Sequence, residues 1–137
     1  MTPNHYYLDI EQTFKLEDIL NNFEGGLNGW RFNVLKYTNR APLKHDNPLN
    51  CLNKALNCVY KDRERILKEI KQGFCIVEKL DPIDLEIHKK ALNPDSYNKI
   101  EHEHYKIFLT DIYKWVIGEV SFDEIKSKIQ KQIYIFS

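Results

Sequence analysis

The segment from residue 47 to residue 73 reads NPLNCLNKALNCVYKDRERILKEIKQG and predicts the longest helix of the chain. It begins with Asn47-Pro48, where the asparagine can cap free backbone N–H groups and the proline suits the first helical position. Gly73 supplies a stop signal. A helix of about 25 residues is roughly 37 Å long and would be a main axis of the domain. One face, apolar except for Arg63, carries residues at three- and four-residue steps: Leu49, Leu52, Leu56, Val59, Arg63, Ile66 and Ile70.

Three further helix starts follow in the second half of the chain. Asp81-Pro82 and Asn93-Pro94 repeat the pattern of an acceptor before a proline. Ser121 and Glu124 form a capping box, in which each side chain satisfies a backbone N–H group near the other. The helices predicted from these signals cover residues 82–92, residues 94–118 and the chain from residue 121 onwards.

The N-terminal third is predicted to be partly β. Trp30, Phe32 and Val34 alternate with polar residues, which favours a strand over residues 30–37. Residues 73–77 form a short apolar run that is either a strand or a link between helices. The other assignments are a short strand at 5–10, a helix at 16–23 and a loop at 38–46.

Together these signals predict a mainly α fold in one domain, residues 1–137. The predicted architecture is a helical bundle of two long antiparallel helices with shorter helices around them. Only the N-terminal third could add a small β-sheet to this bundle. We also expect the apolar chain end, Ile133 to Phe136, to be packed rather than frayed.

Composition is that of an ordinary globular protein. The 20 basic and 20 acidic side chains cancel, which argues against a general affinity for nucleic acid. The sequence has neither a long apolar run nor a basic N-terminus followed by an apolar segment, so we expect no membrane partner, no signal peptide and a cytoplasmic location. The spacing of Cys51, Cys58 and Cys75 matches no zinc or redox motif, and we interpret all three as buried apolar side chains.

The sequence predicts no catalytic residue, no cofactor and no metal site. Residues 101–104 read EHEH, but helical zinc ligands are spaced one turn apart. Two histidines two positions apart would point about 200° from each other on a helix, which favours a solvated helix face. Two alternatives stay open: a metal site that joins Glu101 and His104 with His88 or His45, and a cysteine thiol paired with a histidine.

Aromatic and acidic residues give the leading functional hypothesis, a protein that binds another protein. Tyrosine is enriched at protein interfaces, and the chain has eight tyrosines, more than we expect in the core alone. Acidic residues are concentrated in the same region as several of them, between residues 94 and 124. An acidic face that carries tyrosines suits a basic protein partner, such as a nuclease. The predicted partner contacts are Tyr97, Glu101, Glu103, Tyr105, Asp111, Glu119, Asp123 and Glu124.

The segment YKWVIGEVSFDEI, residues 113–125, resembles a turn in small helical bacterial immunity proteins. In those proteins a helix with aromatic residues ends at a glycine, and a capped helix follows. The resemblance covers about a tenth of the chain and carries over no toxin-contacting residue. It implies an immunity protein or similar inhibitor that neutralises a cognate toxin by occluding its active site. Whether the protein forms a homodimer stays open.

The alternative hypothesis is a nucleic-acid-associated regulator. Basic residues with an aromatic residue among them can follow a phosphate backbone, and Tyr60 lies within the basic part of the helix predicted at 48–72. Asp62 and Glu64 interrupt this basic face. The residues predicted for this role are Lys54, Lys61, Arg65 and Lys68.

Overall fold

The computed structural model describes residues 7–44, 48–74 and 80–137, which form a mainly helical protein, as predicted. Within these ranges the β-type pairing consists of two isolated bridges, Tyr7 with Lys15 and Phe23 with Pro82, so the predicted small sheet is wrong. Most of the segment at 73–77 and the first part of the strand predicted at 5–10 lie outside the described residues. The helices are α1 (Leu16–Leu20), α2 (Gly29–Lys44), α3 (Leu49–Lys71), α4 (Leu85–Leu92), α5 (Glu103–Val116) and α6 (Phe122–Phe136).

Helix α3 confirms the prediction for residues 48–72. It runs for 23 residues from Leu49 to Lys71. Gly73 follows it with a φ of +91°, a left-handed conformation that glycine adopts without steric strain. The stop signal therefore acts where the sequence places it, whereas Asn47, the predicted cap, lies outside the described residues and Pro48 directly precedes the helix.

Helix α2 overturns the strand predicted at 30–37 and, as far as residue 44, the loop predicted at 38–46; the last two residues of that loop lie outside the described residues. The side-chain oxygen of Asn28 accepts hydrogen bonds from the backbone N–H groups of Trp30 and Arg31, both at 3.1 Å, and so starts the helix. Trp30 and Phe32 are each 37% exposed, so their alternation with polar residues did not mark one buried face. The buried residues instead follow a helical period: Arg31, Val34, Leu35, Thr38 and Ala41.

Pro42 lies inside α2 and has no backbone N–H group to donate. The carbonyl of Thr38, four residues earlier, therefore lacks its helical donor. Tyr105 on α5 supplies the replacement, since its hydroxyl donates a buried hydrogen bond to the Thr38 carbonyl oxygen at 2.6 Å. A residue typical of a loop is thus accommodated within a helix because a side chain from another helix satisfies the freed carbonyl.

Helix α4 begins three residues later than the Asp81-Pro82 signal predicts, at Leu85. Asp84 is its cap, and the Asp84 carboxylate accepts a hydrogen bond from the N–H group of Glu86 at 2.9 Å. Pro82 instead forms the isolated bridge with Phe23. The prediction of Asp81 as the cap is wrong because Asp81 and Asp84 lie within one helical turn and only Asp84 is followed by helical backbone.

The long helix predicted to start at Pro94 is also wrong, since Asn93-Pro94 opens only the 3-10 turn Pro94–Ser96. Helix α5 begins at Glu103 and is 14 residues long. Between the two, Tyr97 is buried and its hydroxyl donates to the carbonyl oxygen of Ala91 at 2.7 Å. This buried ring holds the segment against the end of α4 in a non-helical conformation.

Helix α6 starts as predicted, because the Ser121 hydroxyl oxygen accepts a hydrogen bond from the N–H group of Glu124 at 3.2 Å. Its end is only partly packed. Tyr134 is 82% exposed and Ile135 is 42% exposed, which contradicts the prediction for these two residues, whereas Ile133 and Phe136 are half-buried. The buried residues of the helix are Ile125, Ile129 and Gln132.

The longest helix, α3, packs chiefly against α2 and α6 rather than against α5, so the predicted pair of long helices does not form the centre of the fold. Helix α6 runs antiparallel to α3. Phe122 at its start lies 5.5 Å from Tyr60, between ring centroids, and Phe136 at its end lines a surface depression together with Pro48, which precedes α3. Helix α5 packs against α2, α4 and α6.

Asp9 organises the turn before α1. Its carboxylate is buried and accepts hydrogen bonds from the backbone N–H groups of Thr13, at 2.9 Å, and Phe14, at 3.0 Å, and from the Thr13 hydroxyl. Burial raises the pKa of this carboxyl, but the hydrogen bonds together outweigh burial, so that the pKa lies below its ordinary value.

We expect Asp9→Asn to lower the free energy of unfolding by about 1 kcal/mol at neutral pH, because the amide accepts these hydrogen bonds less well than the carboxylate. The folded-state pKa lies below the unfolded-state value. The charge of Asp9 therefore stabilises the protein above about pH 4, and this stabilisation is lost as the pH falls through the folded-state pKa. Urea unfolding of both proteins at several pH values measures it. A loss that does not shrink in acid, or one matched by the exposed Glu17→Gln control, would contradict this prediction.

Candidate functional site

A buried ionic cluster joins α2 to α3. Asp62 on α3 is 1% exposed and accepts hydrogen bonds from Nε of Arg31 and from Nη2 of Arg65, both at 3.0 Å. Arg31 lies on α2 and is itself buried, whereas Arg65 is partly exposed and also forms an ion pair with Glu69 at 3.1 Å. The buried carboxylate therefore has two cationic partners, which offset the cost of removing its charge from water.

Arg31 also satisfies the end of α5. Its Nη1 donates to the carbonyl oxygens of Trp115, at 2.9 Å, and Val116, at 2.7 Å, and its guanidinium lies 4.6 Å from the centroid of the Trp115 ring. The last carbonyls of a helix have no partner within the helix, and a cation at this end is favoured by the helix dipole. One guanidinium thus fixes the relative positions of α2, α3 and α5.

The sequence contains a signal for this cluster that was missed. Asp62 follows Ala55 and Val59 at helical spacing and therefore lies on the buried face of α3. From the sequence alone we interpret Asp62 only as an acidic residue that interrupts the basic face. A carboxylate on an apolar stripe implies a buried charge, and a buried charge requires a cation. The position of Asp62 could therefore have predicted a partner such as Arg31, but not which of the basic residues it would be.

A groove of about 230 Å³ opens beside the cluster, between the second half of α3 and the turn that joins α5 to α6. Arg31 and Asp62 contribute to its wall. The apolar residues that line it are Val59, Ile66, Leu67, Trp115, Val120 and Phe122.

Apolar side chains continue from this groove along the end of α3. Leu67 is 51% exposed, Ile70 is 55% exposed and Phe74, just after the helix, is 63% exposed. We call these three residues the α3 apolar end. Leu67 and Ile70 lie about one helical turn apart on the same side of α3, and Phe74 follows the end of the helix. The surface is open because α6 begins at Phe122, beside Tyr60, and therefore covers only the first half of α3.

The predicted basic face forms but is partly neutralised. Lys61 lies 3.6 Å from Glu64, and Arg65 lies 3.1 Å from Glu69, in addition to its contact with Asp62. Trp30 from α2 shares a shallow depression with this surface. The four predicted residues all lie on the exposed side of α3, with Arg65 half-buried: Lys54, Lys61, Arg65 and Lys68.

The two tyrosines among the predicted partner contacts belong to the core. Tyr97 is 1% exposed and Tyr105 is 0% exposed, and the hydroxyl of each is used in an internal hydrogen bond. Their prediction as surface contacts is wrong, because Tyr105 lies on the buried face of α5 and Tyr97 is buried in the non-helical segment before it. Asp111 is partly buried and forms an ion pair with Lys128 at 3.2 Å, so it too has an internal partner.

The remaining predicted acids are exposed, but they form two separate groups. Glu101 and Glu103 lie at the start of α5, whereas Glu119, Asp123 and Glu124 lie at its far end, around the turn to α6. The 14 residues of α5 place the groups about 20 Å apart. The residues of the 94–124 segment therefore do not form one continuous acidic and aromatic face.

The histidines are arranged differently from the expectation for a helix. His102 is the N-cap of α5 rather than part of it, and its ring centroid lies 5.3 Å from that of His104, so the two rings do not point apart. His104 is hydrogen-bonded to Gln132 at 3.0 Å. In residues 7–44, 48–74 and 80–137, no group of three or more potential metal-ligating side chains occurs.

The cysteine and histidine geometry gives no support to nucleophilic chemistry. Burial raises the pKa of the Cys58 thiol, which disfavours the reactive thiolate. Nδ1 of His88 is hydrogen-bonded to the Tyr113 hydroxyl at 2.7 Å rather than to a thiol. Burial, and secondarily the nearby Glu119, raises the pKa of Tyr113, which keeps the phenol protonated. Cys75 and His45 lie outside the described residues.

Comparison with known protein families, curated proteins and solved structures finds no match to this chain. Among the helices of the described ranges, none combines the length and the apolar character needed to cross a membrane.

Proposed function

We propose that this protein acts by binding another protein through the groove and the α3 apolar end. The observation that carries this proposal is the exposure of Leu67, Ile70 and Phe74, each more than half accessible, beside a groove with an apolar lining. Contiguous exposed apolar surface commonly marks a protein interface. The surface is built largely on a rigid helix, so binding would order little backbone and lose little conformational entropy.

The specific form of this proposal is an immunity protein or a similar inhibitor that occludes the active site of a cognate toxin. The supporting feature is the turn between α5 and α6, in which Gly118 adopts a φ of +92° and Ser121 caps the next helix. This turn carries the resemblance to immunity proteins, and it borders the groove through Val120 and Phe122. Inhibition by occlusion requires a complementary surface and no catalytic group.

The double substitution Leu67→Asp with Ile70→Asp should abolish partner binding, because two charges would replace the apolar centre of the interface. We expect the tagged wild-type protein to capture one stoichiometric protein from native cell lysate in high salt, and the variant to lose it. Ile107→Asp is the matched control, since Ile107 is 52% exposed on α5 and does not line the groove. Capture of the same protein by the double variant at unchanged yield would contradict the proposal.

One observation favours nucleic-acid binding as a second candidate function. Trp30 is 37% exposed and shares a depression with Lys61, Arg65 and Lys68, so an aromatic platform lies beside three cations. Glu64 and Glu69 line the same depression and pair with Lys61 and Arg65. A nucleic-acid binder should retain a single-stranded oligonucleotide with an affinity that falls steeply with salt. It should lose that affinity in a variant that combines Lys61→Glu with Lys68→Glu. Our proposal predicts that this variant captures the protein partner at wild-type yield.

A further inference from the structure

Two cations border the groove without a carboxylate partner. The Arg63 guanidinium lies 4.3 Å from the centroid of the Phe122 ring, and Lys126 Nζ lies 5.8 Å from the same centroid. Neither forms an ion pair within the part of the chain that the structure describes. On the neighbouring side of α3, by contrast, Arg65 is paired with Glu69.

The groove is therefore apolar in its middle and positive at its edge. Among the described residues, Asp62 is the one acidic residue that lines it. Asp62 is 1% exposed and is held between Arg31 and Arg65, so its charge is compensated. Glu119, Asp123 and Glu124 are exposed around the turn that borders the groove, but none of them lines it. Cations beside a low-dielectric surface give a positive local potential, which attracts an acidic ligand.

We infer that the groove binds an acidic amphipathic segment of a partner protein. An apolar side chain of that segment inserts between Leu67 and Phe122, and carboxylates beside it pair with Arg63 and Lys126. This inference rests on the proposed function and adds the chemistry of the partner to it. At this groove it replaces the basic partner expected from the sequence, because the exposed acids form two separate groups outside the groove.

Charge also argues against a second copy of this chain as the occupant. A two-fold interface brings the same surface of both copies together. It would therefore gather Arg63 and Lys126 from each copy around one apolar centre, where like charges repel as water is excluded. An acidic segment from another protein supplies the missing counter-charges instead. The Phe122 ring holds both cations beside the groove by cation–π contact, which reduces the entropy lost when they pair.

Two synthetic peptides test this inference directly. Both carry leucines at helical spacing i, i+3, i+4 and i+7, and the flanking positions are glutamate in one peptide and lysine in the other. Each is titrated into isotope-labelled full-length protein, and the backbone amide resonances are followed by NMR. We expect the glutamate peptide to shift the amides of Leu67, Val120 and Phe122 and to bind at least about tenfold more tightly than the lysine peptide.

Charge removal at the groove should weaken this binding selectively. The variant with Arg63→Gln and Lys126→Gln should bind the glutamate peptide at least about tenfold less tightly. The control with Lys89→Gln and Lys131→Gln removes two other exposed cations and should leave binding unchanged. Stronger binding of the lysine peptide, equal binding of both peptides, or shifts that do not map to the groove would overturn the inference.

The outcomes separate the two proposals. If Leu67→Asp with Ile70→Asp abolishes partner capture while Arg63→Gln with Lys126→Gln has no effect on capture or on the peptides, the groove binds a partner of different chemistry and only this inference fails. If neither variant alters capture, the proposed function fails as well. Sedimentation of the free protein measures its oligomeric state and so tests whether a second copy of the chain occupies the groove. A dimer that Leu67→Asp dissociates would identify a second copy and overturn the acidic segment.

Discussion

Replacing Asp62 by alanine should lower the free energy of unfolding by about 3–5 kcal/mol. The substitution removes the buried carboxylate that Arg31 and Arg65 share, so the buried Arg31 loses its 3.0 Å ion pair with Asp62. Arg31 cannot move into water freely, because its guanidinium also holds the carbonyls of Trp115 and Val116 at the end of α5. Urea unfolding at neutral pH, followed by circular dichroism, measures the loss.

A surface control and a double variant separate the buried cluster from general effects of charge. Glu64→Ala removes an exposed carboxylate that lies 3.6 Å from Lys61 on the same helix, and it should change stability by no more than about 0.5 kcal/mol. The variant with Arg31→Met and Asp62→Leu removes both charges together. It should lose less than the sum of the losses for Arg31→Met and Asp62→Leu made singly, because the ion pair between the two residues is lost only once. A loss for Asp62→Ala as small as that for Glu64→Ala would contradict this account.

Replacing Tyr105 by phenylalanine should lower the free energy of unfolding by roughly 2–3 kcal/mol, because it leaves a buried carbonyl without a donor. The Tyr105 hydroxyl donates to the Thr38 carbonyl at 2.6 Å, and Pro42 has no N–H group to take its place. The ring itself stays, so the change isolates one hydrogen bond from the packing around it. Urea unfolding under the same conditions measures this loss, and Tyr134→Phe, at an exposed tyrosine, should cause almost none.

A double-mutant cycle identifies the carbonyl that depends on Tyr105. Pro42→Ala restores a backbone N–H group at position 42, which can donate to Thr38 within α2. In that background Tyr105→Phe should lose clearly less stability than in the wild type, and the difference is the coupling between the two positions. Equal losses in both backgrounds would show that the Thr38 carbonyl is not the group that Tyr105 satisfies.

The buried cluster also forms part of the groove wall, so variants of its residues cannot separate binding from stability. Arg31 and Asp62 line the groove while they hold α2, α3 and α5 together, so their variants would alter both stability and binding. Leu67 and Arg63 are exposed, and substitutions there should leave the fold intact. Loss of binding in the exposed variants, at unchanged stability, therefore reports on the interface itself.

The ends of helices were predictable where the residue that caps or stops the helix lies within a few positions of it in the sequence. Ser121 caps α6 as expected, and Gly73 follows α3 in the left-handed conformation that its position requires. The same reasoning failed at Asn93-Pro94, where a capped turn forms but does not continue into a helix. A cap can start a helix, but here the buried Tyr97 ring, hydrogen-bonded to Ala91, holds the following residues in a non-helical conformation.

The candidate site was hardly predictable. The tyrosines chosen as contacts are core residues, and the acids chosen with them lie at opposite ends of α5. Ile66 and Ile70 were assigned to the buried face of the 48–72 helix, yet Ile70 is 55% exposed. Helical periodicity shows which residues share a face, but not how far along the helix a neighbour covers that face.

The sequence alone predicted the mainly α class, the extent of α3 and the cap of α6, because these features depend on contacts between residues a few positions apart. Tertiary structure decided the rest. Arg31 forms an ion pair with Asp62, which is 31 positions away, and Tyr105 donates a hydrogen bond to Thr38, which is 67 positions away. These two contacts stabilise α2, although its sequence has the pattern of a strand followed by a loop. The groove exists because α6 starts beside the middle of α3, and such lengths and offsets are set only when the helices pack.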